Sequence, residues 1–211
     1  MSCEKEEVTV PTELVTFKLN VAEFSSSQHG MKSAELEYTD FEHKYKGADI
    51  TFISSEGKEW QFTTTTDLES FSISLPVGTY TVSGESTIPS RYGEKDASYT
   101  ISNQDIIITT GVEKVNITIT STCALILVKD EKDLLSTSRI YYGQAYPLCI
   151  ENSFKYTYVR PYGTIELQLY KKTGESFKME TNKMEIGYIY YIVVTDEIIS
   201  GVTLTNDFKS I

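Results

Sequence analysis

The sequence predicts an all-β protein arranged as two β-sandwich domains in tandem. Three observations lead there. The 211 residues include 15 Tyr and 9 Phe, with abundant Ile and Thr and little Ala. Such side chains suit a pleated, half-buried surface and lose rotamer freedom in a helix. Apolar and polar residues alternate with period two in segment after segment, and no segment carries a convincing helical stripe. Turn signals separate these segments at intervals of roughly 8–12 residues, the spacing of a sandwich or barrel.

The first strong strand is 14–22, where Val15, Phe17, Leu19 and Val21 share one face and Thr16, Lys18 and Asn20 the other. A Ser-rich loop follows at 25–33, and 35–41 reads as a short strand. A hairpin is expected from 49–53 and 59–63 around Ser54 to Lys58, with Gly57 supplying the positive φ of a tight loop and Trp60 and Phe62 in the core. Phe71 to Leu75 alternates again; Pro76 and Gly78 then make a turn that brings Tyr80 and Val82 back into a core. Arg91 to Asp96 reads as a polar loop, and strands at 99–101, 105–109 and 114–120 complete the set. Val115, Ile117 and Ile119 alternate with Asn116, Thr118 and Thr120, whereas Cys123 to Val128 is apolar on both faces. That change places a domain boundary near residue 121. The expected organisation is a tether at 1–12, one sandwich at 13–121 and a second at 122–211. Strands are expected in the second at 124–129, 138–142, 146–150, 154–160, 164–170, 176–180, 187–195 and 201–206. Turns fall at Gly143, at 161–163, at Gly174 and at Gly187, and a helical turn is possible over Asp130 to Leu135.

A formal charge of −11, without a basic cluster, argues against nucleic acid as a partner. No run of about 18 apolar residues offers a transmembrane helix. Cys3, Cys123 and Cys149 form no CxxC pair, so no zinc framework is expected and no metal or other cofactor is implied. Cys123 and Cys149 read as buried free thiols, with a disulfide between them as the alternative.

The chain opens Met1-Ser2-Cys3-Glu4-Lys5-Glu6-Glu7. This resembles the cleavage region of a bacterial lipoprotein signal peptide, in which a small residue precedes the cysteine that is acylated. Lys5, Glu6 and Glu7 resemble the surface-export signal of Bacteroides-type outer-membrane lipoproteins. Leu75-Pro76-Val77-Gly78-Thr79-Tyr80-Thr81-Val82 is similar to a strand–turn–strand motif of transthyretin-like β-sandwiches, a topology related to immunoglobulin-like folds. Together these features resemble the surface lipoproteins of that group, and among them the fimbrillin-like pilus subunits. The resemblance implies two transthyretin-like sandwiches, lipid anchoring at Cys3 in the outer membrane, display on the cell surface and partners among other surface or fimbrial proteins. Fimbrillins carry an N-terminal strand released by cleavage after an Arg, and no Arg precedes the first strong strand here. The implied role is therefore structural or adhesive, as an accessory subunit of a fimbria or a stand-alone surface protein, rather than a polymerising pilin.

Catalytic patterns are missing. His29 and His43 lie in polar segments outside any HExxH or Gly-x-Ser-x-Gly context. Ser55 to Lys58 and Lys172 to Gly174 superficially match the SxxK and KTG elements of penicillin-recognising enzymes, but the first falls on a hairpin tip where that chemistry needs a helix. Glu35/Glu37 and Glu131/Asp133 are carboxylate pairs of the kind glycoside hydrolysis uses, and on so acidic a chain they read as solvated. The expectation is a non-enzyme. Tyrosines crowd the segments around 141–146, 156–162 and 188–191. Tyrosine joins a flat apolar face to a hydroxyl, which suits sugar rings and protein interfaces. Phe154, Tyr156 and Tyr158 share one face and some belong to the core. Tyr142, Tyr146 and Tyr162 flank turns and are the candidate binding residues of an alternative role, a non-catalytic carbohydrate-binding surface lipoprotein.

Overall fold

The computed structural model describes residues 12–21, 41, 45–89, 91–160, 164–181, 184–194 and 208–210. Among these the chain is all-β, with one 3-10 turn at Leu68–Ser70 and no α-helix. The first strands are β1 (Thr12–Val21), β2 (Lys46–Ser54), β3 (Glu59–Asp67), β4 (Ser72–Pro76), β5 (Gly78–Ser86), β6 (Tyr92–Glu94), β7 (Tyr99–Ile108) and β8 (Lys114–Ser121). They are followed by β9 (Ala124–Lys129), β10 (Leu135–Tyr142), β11 (Gln144–Pro147), β12 (Cys149–Glu151), β13 (Phe154–Val159), β14 (Ile165–Lys171), β15 (Ser176–Thr181), β16 (Ile189–Val193) and β17 (Phe208–Ser210).

Two compact units divide the chain. The first comprises Met1–Val21, Lys46–Thr87 and Thr100–Ile119, and the second Ala22–Tyr45, Ile88–Tyr99 and Thr120–Ile211. The units are thus interleaved in sequence.

In the first unit one sheet runs β3-β2-β5-β7-β8-β1-β4. The expected hairpin is β2–β3, and Gly57 takes φ +80° at its tip. Burial alternates as the sequence pattern demands: Val115, Ile117 and Ile119 on β8 are buried between exposed Asn116, Thr118 and Thr120. Trp60 and Phe62 are half-buried rather than core, because β3 is a sheet edge. They still pack edge-on against Tyr80 and Phe52, at 5.4 and 5.8 Å between ring centres. The predicted pair of strands at 99–101 and 105–109 is one strand, β7, whose pairing register against β5 shifts between Val82 and Gly84.

The segment Leu75 to Val82 is a corner rather than a hairpin. β4 pairs with β1, and β5 pairs with β2 and β7. In a flat sheet the four steps from β4 to β5 would separate them by about 19 Å. Only Val77 joins Pro76 to Gly78, a span of about 7 Å at most. The sheet must therefore curl until its strands meet, enclosing Ile50, Phe52, Ile73, Leu75, Ile108, Val115 and Ile117, all buried. Tyr80, 2 % exposed, re-enters this core as expected, and its hydroxyl donates to the Pro76 carbonyl at 2.7 Å.

The second unit is a sandwich of two sheets, β11-β10-β14-β15-β17 and β12-β13-β9-β16, with β6 also paired to β13. Ala124, Ile126 and Val128 from one sheet meet Ile140, Ile165, Leu167, Leu169 and Met179 from the other in a single core. β9 is buried on both faces, as its unbroken apolar run predicts. So is β13, where Phe154, Tyr156 and Tyr158 are all buried and Phe41 packs edge-on against the first two at 5.8 and 4.8 Å.

Three expectations for this unit are corrected. Arg91 to Asp96 is not simply a loop, because residues 92–94 form β6 against β13. The expected strand 146–150 breaks at Leu148, so that β11 joins one sheet and β12 the other. Asp130 to Leu135 holds a tight turn with Asp133 at φ +50°, closed by the Asp133 N–H on the Asp130 carbonyl at 3.1 Å. The expected strand at 201–206 and the turn at 161–163 lie outside the described residues, as does 35–41 apart from Phe41.

Candidate functional site

The β10–β11 hairpin turns at Gly143 and pairs Tyr142 with Gln144 and Ile140 with Tyr146. Cross-strand partners share a face, so Tyr142, Gln144 and Tyr146 project together. Opposite them stands β6 of the other sheet, held against β13 by pairing of Tyr92 with Val159 and of Glu94 with Tyr158. The Arg160 N–H adds a bond to the Arg91 carbonyl at 2.8 Å, and the Thr157 hydroxyl donates to the Glu94 carbonyl at 3.2 Å. Tyr92 stacks on Tyr142 with ring centres 4.0 Å apart and planes inclined by 21°. Tyr146 lies 6.5 Å from Tyr92 and accepts the Gln144 side-chain amide on its hydroxyl at 2.9 Å.

Gly93 makes this approach possible. It sits at φ +83°, and a Cβ there would fall 2.9 Å from Cδ1 of Tyr146. The bare backbone is the surface on which the Tyr146 ring rests.

The result is a cleft of about 460 Å³ at the edge of the sandwich, lined by Arg91, Tyr92, Glu94, Tyr142, Gln144, Tyr146 and Arg160. Tyr92 and Tyr146 back onto the core, while Tyr142 is 45 % exposed. Burial, then the neighbouring Tyr142 hydroxyl, pushes the Tyr92 hydroxyl above its ordinary pKa of 10.0, against a smaller opposing pull from Arg160. Tyr92 is therefore a neutral phenol at physiological pH. The site offers aromatic faces, phenolic hydroxyls and an amide to a ligand, and two arginines line it.

Of the candidate binding residues, Tyr142 and Tyr146 come together here, and Tyr162 lies outside the described residues. Cys3, Lys5, Glu6 and Glu7 also lie outside them, as do His29, His43, Glu35 and Glu37. Tyr156, Tyr158, Tyr190 and Tyr191 are core, Tyr188 is half-buried and Tyr141 is exposed. Tyr92, Arg91 and Arg160 were not among the candidates. No local signal singled them out: the chain has three arginines, and all three stand within two residues of a tyrosine.

The remaining candidates are engaged elsewhere. Glu131 pairs with Lys129 at 2.7 Å and Asp133 with Lys172 at 2.5 Å. Cys123 and Cys149 are free thiols, the first buried and the second half-buried. Burial pushes both thiols upward in pKa, and for Cys123 hydrogen bonds with Ser121 and Ser98 oppose part of that rise. Among the described residues no group of three His, Cys, Asp or Glu side chains is placed to hold a metal ion, and no helix is long and apolar enough to cross a membrane.

No family model matches the chain, and no characterised protein matches it in sequence. Solved structures do match its fold. A fimbrial protein from Bacteroides ovatus aligns at 10 % identity and TM-score 0.56, over 85 % of this chain and 48 % of its own. The chain thus spans about half the length of that fimbrial protein. A candidate cell-adhesion protein from Bacteroides uniformis aligns at 11 % identity and TM-score 0.46, over 80 % of this chain and 92 % of its own. Another from Bacteroides fragilis aligns at 10 % identity and TM-score 0.45, over 94 % and 98 % respectively. The chain is similar in fold, at low sequence identity, to the Bacteroides ovatus fimbrial protein.

Proposed function

We propose that this protein is a structural or adhesive component of the bacterial cell surface, built from two β-sandwich domains and tethered to the outer membrane by acylation of Cys3. The observation that carries the reading is the fold shared with the Bacteroides ovatus fimbrial protein over 85 % of this chain. The acidic start around Cys3, with Lys5, Glu6 and Glu7 as the export signal, supports the location. Within that role the protein serves as an accessory subunit of a fimbria or as a stand-alone adhesin, with fimbrial or other surface proteins as partners. A second reading, non-catalytic glycan binding at the surface, is favoured by the tyrosine cleft.

The test of location expresses the chain behind a lipoprotein signal peptide in a Bacteroides host. The wild-type protein takes up an alkyne-tagged fatty acid and is digested by protease added to intact cells. Cys3→Ala abolishes labelling. Replacing Lys5, Glu6 and Glu7 with alanine keeps the label and shields the protein from the protease. A wild-type protein that is neither labelled nor reached by protease overturns the proposal.

A further inference from the structure

We propose that the cleft between β6 and the β10–β11 hairpin is a subsite for an acidic sugar, a ring bearing a carboxylate within a polysaccharide. This deepens the glycan-binding reading and rests on it.

The distribution of arginine is the first argument. Three of the chain's 19 basic residues are Arg, and two of the three line this one cleft. The third, Arg139, is already engaged: its guanidinium donates to Gln168 at 2.7 Å and Tyr170 at 3.0 Å and lies over the Tyr170 ring. Among the described residues the guanidiniums of Arg91 and Arg160 make no ion pair and donate no hydrogen bond. Their backbones, by contrast, are tied together through the 2.8 Å bond across β6 and β13. Two arginines with joined backbones thus line one cleft in a protein of net charge −11, with Glu94 the one carboxylate lining it. A guanidinium presents parallel donors that match a carboxylate in a way a lysine does not.

The tyrosines are the second argument. Tyr142 stands 45 % exposed, braced from behind by its stack on Tyr92. A braced ring loses little freedom when a ligand lies on it, and its face suits the C–H face of a pyranose. The hydroxyls of Tyr92 and Tyr146 and the Gln144 amide surround it to meet sugar hydroxyls. The volume of about 460 Å³ falls within the range of small-ligand clefts. Aromatic face, hydroxyl partners and two lining arginines together describe a carboxylated sugar better than an acidic peptide, which would leave the ring faces uncovered.

The experiment is affinity electrophoresis of the soluble chain through gels containing polygalacturonate, with neutral galactan and polyglutamate gels in parallel. Polygalacturonate is expected to retard the protein, and galactan and polyglutamate far less. Arg91→Gln and Arg160→Gln should each weaken retardation at least about tenfold, the effect of removing one charge-assisted hydrogen bond. Tyr142→Ala should weaken it comparably, and Lys114→Gln, a charge removed from the first unit, should not. Circular-dichroism melts confirm that each variant is folded. Equal retardation by galactan overturns the acidic-sugar assignment while leaving glycan binding in place. Equal retardation by polyglutamate reduces the cleft to a charge effect and overturns it. Absence of retardation in every gel overturns both the assignment and the glycan-binding reading.

Discussion

Replacing Asp130 by alanine should be among the most damaging single changes in the second unit. Asp130 is 4 % exposed. One carboxylate oxygen accepts the Leu134 N–H at 2.8 Å, and the other accepts the Leu135 N–H at 3.1 Å together with the Lys155 ammonium. One side chain thus pins the β9–β10 turn to β13. Lys155 has its side chain only 11 % exposed, and its remaining partner, Asp133, is 3.8 Å away. Asp130→Ala would leave a nearly buried ammonium and two backbone N–H groups without their acceptor. Breaking a buried ion pair from one side costs about 3–5 kcal/mol, against a total domain stability of about 5–15 kcal/mol. Urea unfolding followed by far-UV circular dichroism reads the loss. Trp60, the one tryptophan, lies in the first unit, so its fluorescence follows that unit separately. Lys155→Met should cost less, because Asp130 keeps both N–H donors, and the double variant should recover part of the Asp130→Ala loss. A loss below about 1 kcal/mol for Asp130→Ala would refute the reasoning, since it would mean that water already satisfies these groups.

Two further predictions follow from the geometry. Tyr80→Phe removes the hydroxyl that ties β5 to the Pro76 corner and should lower stability by about 1 kcal/mol, measured by urea unfolding, with ring packing intact. The carboxyls of Asp133 and Glu166 are held below their ordinary values of 3.8 and 4.5, chiefly by hydrogen bonds from Lys172 and Gln168 respectively. Because the folded state binds protons less readily than the unfolded chain, their contribution is present at neutral pH. It begins to fade as pH falls below those ordinary values and is lost through the lower folded ones. The urea midpoint of the Asp133→Asn, Glu166→Gln double variant should therefore fall less steeply below pH 4.5 than that of the parent. Parallel curves would refute it.

What the sequence determined by itself was the local pattern. Alternation on β8, the doubly apolar run of β9, the β2–β3 hairpin and the return of Tyr80 to a core were legible because side-chain period and turn chemistry act within a few residues. Tyr142 and Tyr146 were legible as candidates because they flank a glycine turn in a tyrosine-rich hairpin. What only the tertiary structure decided was partnership. Three residues at 92–94 become a strand because β13, more than sixty positions later, supplies the pairing. β4 and β5 are consecutive in the chain, yet three strands stand between them in the sheet order. Trp60 and Phe62 carry a core-like pattern and are half-buried because nothing in their own segment records that β3 lies at an edge. The cleft itself joins Arg91 and Tyr92 to Tyr142, Tyr146 and Arg160, from segments that share no local signal. Pattern is written along the chain, but the cleft exists only where β6 of one sheet meets the β10–β11 hairpin of the other, and that meeting depends on long-range pairing.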